Sequence, residues 1–157
     1  MESMHFVILT PNKKLLDEKD VTEVYFPADY GVLGVLPGHA PMITAVGTGV
    51  VVYTKKDVTG FFKVTGGVAE ISGHSVTLMV DVGEEASNID LDRAKRALER
   101  AEGRLAAKDL GNVDVKRAQV ALARAQARIQ AADLFHNRVS KKPTKEPSSD
   151  TNTKDSE

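Results

Sequence analysis

The chain has 157 residues, 41% of them hydrophobic and 27% charged, with a formal net charge of −1 and no cysteine. This length allows one or two small domains. The missing thiols exclude disulfides, thiol nucleophiles and thiolate metal sites, and the near-neutral charge excludes nucleic acid as the main partner.

The charge is unevenly spread. Residues 1–88 carry 6 Lys, no Arg and 11 acids, whereas residues 89–136 carry 10 basic and 7 acidic side chains. A boundary is therefore expected near Ser87. The opening residues, Met1-Glu2-Ser3-Met4-His5, are neither basic nor apolar enough for a leader. The longest apolar run, about Val50–Tyr53, falls far short of the roughly 20 residues needed to span a bilayer. Any membrane association is expected to come through a partner.

In chain order, residues 4–86 read as β structure. Met4–Leu9, Val21–Phe26, Val32–Leu36, Met42–Val46, Val50–Thr54, Phe61–Val64, Val68–Ile71 and Ser75–Val80 are short runs rich in β-branched residues. Turn residues separate them: Pro11-Asn12, Asp29-Tyr30-Gly31, Pro37-Gly38, Gly47, Asp57, Gly66-Gly67 and Ser72-Gly73-His74. Short strands at near-even spacing predict an antiparallel sandwich or barrel with a core of Val, Ile and Leu.

Residues 89–105 and 113–129 are one helix written twice, 24 residues apart. Ile89-Asp90, Arg93-Ala94, Ala97-Leu98, Arg100-Ala101 and Arg104-Leu105 recur as Val113-Asp114, Arg117-Ala118, Ala121-Leu122, Arg124-Ala125 and Arg128-Ile129. At about 100° per residue the apolar members form one narrow, alanine-rich stripe. Each Asp stands where an N-cap belongs. The connection, roughly Lys108 to Asn112 with Gly111, allows only an antiparallel turn. The approximate two-fold axis of such a hairpin puts Arg93, Arg100, Arg104, Arg117, Arg124 and Arg128 on one face. Acidic partners there are few, and guanidinium forks suit phosphate and carboxylate, so an anionic partner is expected. An alanine seam buries little area, so the hairpin also needs a second surface.

The division is therefore 1–87 β-sandwich, 88–136 two-helix hairpin and 137–157 a polar, Pro/Ser-rich disordered tail. Phosphate-loop, metalloprotease, nucleophile-elbow and calcium-loop motifs are absent. His5, His39, His74 and His136 are scattered, with His39 and His74 reading as turn residues. Glu84-Glu85 reads as the solvated end of the last strand. No catalytic constellation or metal set assembles, and the chain reads as a non-enzyme.

Two segments resemble signatures of the epsilon subunit of bacterial F-type ATP synthases: Gly31-Val32-Leu33-Gly34-Val35-Leu36-Pro37-Gly38-His39-Ala40-Pro41-Met42 and Thr65-Gly66-Gly67-Val68-Ala69-Glu70-Ile71. The order of sandwich and Arg/Ala-rich hairpin matches as well, over roughly residues 4–135. The resemblance implies a non-catalytic rotor subunit on the cytoplasmic face of the bacterial inner membrane, with the gamma subunit, the c-ring loops and the catalytic beta and alpha subunits as partners. It implies a hairpin that lies folded on the sandwich or extends toward the catalytic head, where it hinders ATP hydrolysis. It also implies ATP as a regulatory ligand, no cofactor being required. The motif Ile89-Asp90-Leu91-Asp92-Arg93-Ala94 and the positions Glu84, Arg100, Arg124 and Arg128 carry the family's ATP-site residue types. Val32, Leu33 and His39 fall in the loop region that faces the c-ring and gamma. Where the family often has Gly-Glu-Leu-Gly, this chain has Gly31-Val32-Leu33-Gly34 and so lacks that carboxylate. The competing reading is a free-standing nucleotide- or anion-sensing module without a rotary partner.

Overall fold

The computed structural model describes residues 2–107 and 111–140, the side chains at 112, 113, 139 and 140 excepted. Seven strands precede two helices: β1 Met4–Leu9, β2 Lys14–Ala28, β3 Gly31–Val35, β4 Met42–Val46, β5 Gly49–Lys55, β6 Val58–Ile71, β7 Ser75–Glu85, α1 Leu91–Ala106 and α2 Asn112–Ser140. A short 3-10 turn, Ala86–Asn88, joins β7 to α1.

The strands form a β-sandwich, as the spacing of the apolar runs predicts. Alternation places Met4, Phe6 and Ile8 of β1, and Val76, Leu78 and Val80 of β7, in the core beside Val24, Phe26, Val51, Phe62 and Val64. Neighbouring pairs are antiparallel except β1 with β7, which run parallel. The ladders β1–β2, β2–β5, β5–β6, β6–β7 and β7–β1 close into a circuit, so none of these five strands is left with a wholly unpaired edge. Both long strands change partners along their length. β2 pairs with β1 through residue 21 and with β3 from Val24 onward, while β6 pairs with β5 up to Val64 and with β4 from Gly67.

The change of partner in β6 corrects the sequence reading. Phe61–Val64 and Val68–Ile71 are one strand, and Gly66-Gly67 is a kink inside it rather than a turn. Both glycines have positive φ, 59° and 135°, which β-branched neighbours could not adopt without strain. Ladder pairing with β7 runs through on both sides, Thr65 opposite Val82 and Gly67 opposite Val80. β2 likewise begins at Lys14, well before the expected Val21, because its polar first half is held by β1.

The hairpin is folded onto the sandwich. Its seam buries Ala94 and Ala101 of α1 and Ala118 and Ala125 of α2 almost completely, the stripe expected from the repeat. The second surface it needs is the outer face of β5 and β6: Ala131 and Ala132 of α2 cluster with Phe61, Ala86 and Ile89, flanked by Val50, Val52, Leu91, Leu134 and Phe135. Two expectations for α2 need correction. Asp114 is not its N-cap, because the helix starts at Asn112 and the amides of Asp114 and Val115 both donate to the Gly111 carbonyl. The helix also runs on to Ser140, four residues into the stretch read as tail. The remainder of that stretch, 141–157, and most of the predicted connection lie outside the described residues.

Candidate functional site

β6 is buried continuously from Phe61 to Thr65, which hides its alternation. The reason is that both faces are covered. Phe62 and Val64 point into the sandwich core, while Phe61 belongs to the cluster under the hairpin. Lys63 and Thr65, on the same face as Phe61, therefore lie beneath the helices. Cross-strand register sets Glu84 of β7 directly opposite Lys63, and Val82 opposite Thr65.

From above, α2 lowers Arg128 onto this pair. The guanidinium grips the Glu84 carboxylate with both arms: Nε donates to Oε1 at 3.0 Å and Nη2 donates to Oε2 at 2.9 Å. Lys63 Nζ stands 3.8 Å from Glu84 Oε1. Glu84 is thus the carboxylate that joins sandwich to hairpin, which corrects its reading as a solvated strand end. A cleft of about 350 Å³ opens beside it, lined by Lys63, Thr65, Val82 and Glu84 from the sandwich and by Ala97, Ala121, Arg124, Ala125 and Arg128 from the hairpin. Three cations face one carboxylate there. Burial lowers the Lys63 pKa; the Glu84 charge opposes that shift, and Arg128 and Arg124 add to it.

The expected ligand set is divided by the fold. Glu84, Arg124 and Arg128 meet in this cleft. Arg93, Arg100, Arg104 and Arg117 are exposed and do not line it. Asp90 caps α1, its Oδ1 accepting from the Arg93 amide at 3.1 Å, as the repeat predicts. Ile89 is spent on the cluster with Phe61, and Ala94 is wholly buried. Of the six arginines expected on one face, Arg124 and Arg128 line the cleft against the sandwich, and Arg128 bonds Glu84 there. Sequence reasoning missed Lys63. Its signal was a lone lysine inside the apolar run Phe61-Phe62-Lys63-Val64, but only strand pairing shows that Glu84 lies opposite.

At the far end, Val32 and Leu33 sit on β3 rather than in a loop, Val32 72% exposed and Leu33 packed against the core. His39 closes the turn after β3, its amide donating to the Leu36 carbonyl and its Nδ1 lying 2.7 Å from the Ala40 carbonyl oxygen. This is the turn role expected for it. Among the described residues, no cluster of His, Asp and Glu could hold a metal ion, and no helix is long and apolar enough to cross a membrane.

A β-sandwich carrying an arginine-rich helical hairpin on one face defines a two-module chain whose polar cleft lacks any catalytic set. A family model for the beta-sandwich domain of the ATP synthase delta/epsilon chain matches residues 3–86, and one for its long alpha-helix domain matches residues 87–133. The ATP synthase epsilon chain of Nitratidesulfovibrio vulgaris is 43% identical over 105 residues, 67% of this chain and 78% of that one. The epsilon chain of Staphylococcus haemolyticus is 40% identical over 109 residues, 69% of this chain and 82% of that one. The fold is also that of a chain in the Euglena gracilis mitochondrial ATP synthase (OSCP/F1/c-ring), with TM-score 0.74 at 18% identity, covering 85% of this chain and 82% of that one. The chain belongs to the ATP synthase delta/epsilon family, as an epsilon-type accessory subunit and not a catalytic one.

Proposed function

We propose that the chain is a central-stalk rotor subunit of a proton-translocating ATP synthase, peripheral on the cytoplasmic face of the bacterial inner membrane, whose hairpin regulates ATP hydrolysis. The sandwich would dock on the gamma subunit and the c-ring loops, through the end that carries Val32, Leu33 and His39. The folded hairpin is the permissive state. Its extension would carry the basic faces of α1 and α2 toward the catalytic beta and alpha subunits and resist rotation. ATP is the ligand that favours the folded state, its phosphates gathered by arginines of both helices.

One observation carries this reading: among the described residues the one carboxylate lining the cleft, Glu84, is gripped by Arg128, which leaves Lys63 and Arg124 for an anion that the folded hairpin assembles. A ligand bound solely by the folded state stabilises it by about 2.7 kcal/mol at a hundredfold excess over its dissociation constant, enough to move a balanced two-state element. The test is calorimetric titration of the chain with MgATP beside the Arg100→Ala/Arg124→Ala variant. Saturable binding that the variant loses is the expected result. A native chain that takes up no heat to millimolar MgATP would remove ATP as the regulator.

A further inference from the structure

Lys63 and Arg124 are the two cations of the cleft without a side-chain hydrogen bond to any described residue, and of the two only Lys63 is buried. Its side chain is 4% exposed, yet its ammonium donates to none of the described residues, and Glu84 at 3.8 Å is too far to accept. Arg128 holds both carboxylate oxygens of Glu84. The ammonium is not sealed from solvent: it opens to the cleft, where its N–H donors are met by water or by a bound acceptor. The ammonium lines the cleft together with Arg124 and Arg128, so the acceptor that fits is anionic and multiply charged.

We propose that Lys63 is a ligand residue: the cation that the sandwich contributes to a polyphosphate held under the folded hairpin, so that the bound anion ties the two modules together. The inference rests on reading the cleft as an anion site, and it assigns the β6 strand a direct part in sensing occupancy. A chain of phosphates carries enough acceptor oxygens to meet Lys63 and the α2 arginines at once.

The experiment titrates the full chain and its Lys63→Met variant with inorganic tripolyphosphate and, separately, with MgATP. Methionine keeps the length of the side chain and removes a desolvated charge, so the ligand-free variant is expected to melt no lower than the native chain. Its affinity for both probes is expected to fall about tenfold, the loss of one charge-assisted contact. Undiminished affinity in the folded variant would overturn the role of Lys63 and leave the nucleotide reading standing. A native chain that binds tripolyphosphate but not MgATP would sink the nucleotide reading, while the same comparison still decides Lys63. Binding of neither probe would overturn both. If the variant fails to fold, the Lys63 side-chain NMR resonances of the native chain are the second readout. A shift at saturating tripolyphosphate supports the proposal, and unmoved resonances overturn it.

Discussion

At the scale of single residues, two polar clusters show how position decides what a charge is for. On the exposed surface of the β1–β2 ladder, Asp17 accepts from Lys14 Nζ at 2.7 Å and lies 2.5 Å from His5 Nε2. The Lys14 hydrogen bond, then that of His5, holds the carboxyl at about 2. A folded-state value below the unfolded one near 3.9 means that the contribution to stability is present above that pH and is lost as pH falls toward about 2. In NMR titration, Lys14→Ala should return Asp17 part of the way to the ordinary range, and the urea midpoint of the variant should vary less across this acid window. An unmoved Asp17 titration would mean that Lys14 does not hold it. Under the hairpin the arithmetic differs, because Lys63, Glu84 and Arg128 are partly or wholly withdrawn from water and screened less. There a single carboxylate, Glu84, links two modules, gripped by Arg128 with Lys63 3.8 Å away.

At the scale of elements, the strand β6 is the part that organises the rest. Its kink at Gly66-Gly67 lets the first half pair with β5 beneath the hairpin and the second half pair with β4. A Cβ on Gly67 would collide with the Met79 carbonyl oxygen of β7, at a φ that L side chains rarely adopt. Gly67→Ala should therefore cost more than the roughly 1 kcal/mol of an ordinary strand substitution, about 2–4 kcal/mol by thermal or urea unfolding. An unchanged midpoint would show that the kink is not required. The helices work by the opposite economy. Alanines at the seam let α1 and α2 approach closely but bury little, so α2 continues past the repeat to lay Ala131, Ala132, Leu134 and Phe135 on the sandwich.

At the scale of the whole molecule, the contact between modules is small and mixed: one apolar cluster centred on Phe61, one bidentate ion pair and one half-open cleft. Phe61→Ala should remove about 3 kcal/mol from hairpin docking while sparing the core formed by Phe6, Phe26 and Leu78. Amide exchange would then speed up through α1 and α2 and stay slow in β1, β2 and β7. Equal acceleration in both would show that sandwich and hairpin open as one cooperative unit.

Much of this architecture was legible in the sequence, for a physical reason. Strand alternation, the 24-residue helical repeat and the Asp90 cap are local patterns, set by residues within a few positions of one another. From those alone follow the β-sandwich, the hairpin, its alanine seam and the clustering of arginine beyond residue 93. What stayed hidden depends on residues far apart in sequence. Alternation in Phe61–Thr65 could not reveal that a helix some 65 residues later covers its second face. Nor could it show that Gly66-Gly67 bends a strand instead of ending it, or that Arg128 reaches Glu84 on β7. The sequence by itself determined which elements form and where the charge sits, because those are short-range properties of the chain. Only the tertiary structure decided which charges meet, since Lys63, Glu84 and Arg128 are brought together by strand register and helix docking, and neither is encoded in any one segment.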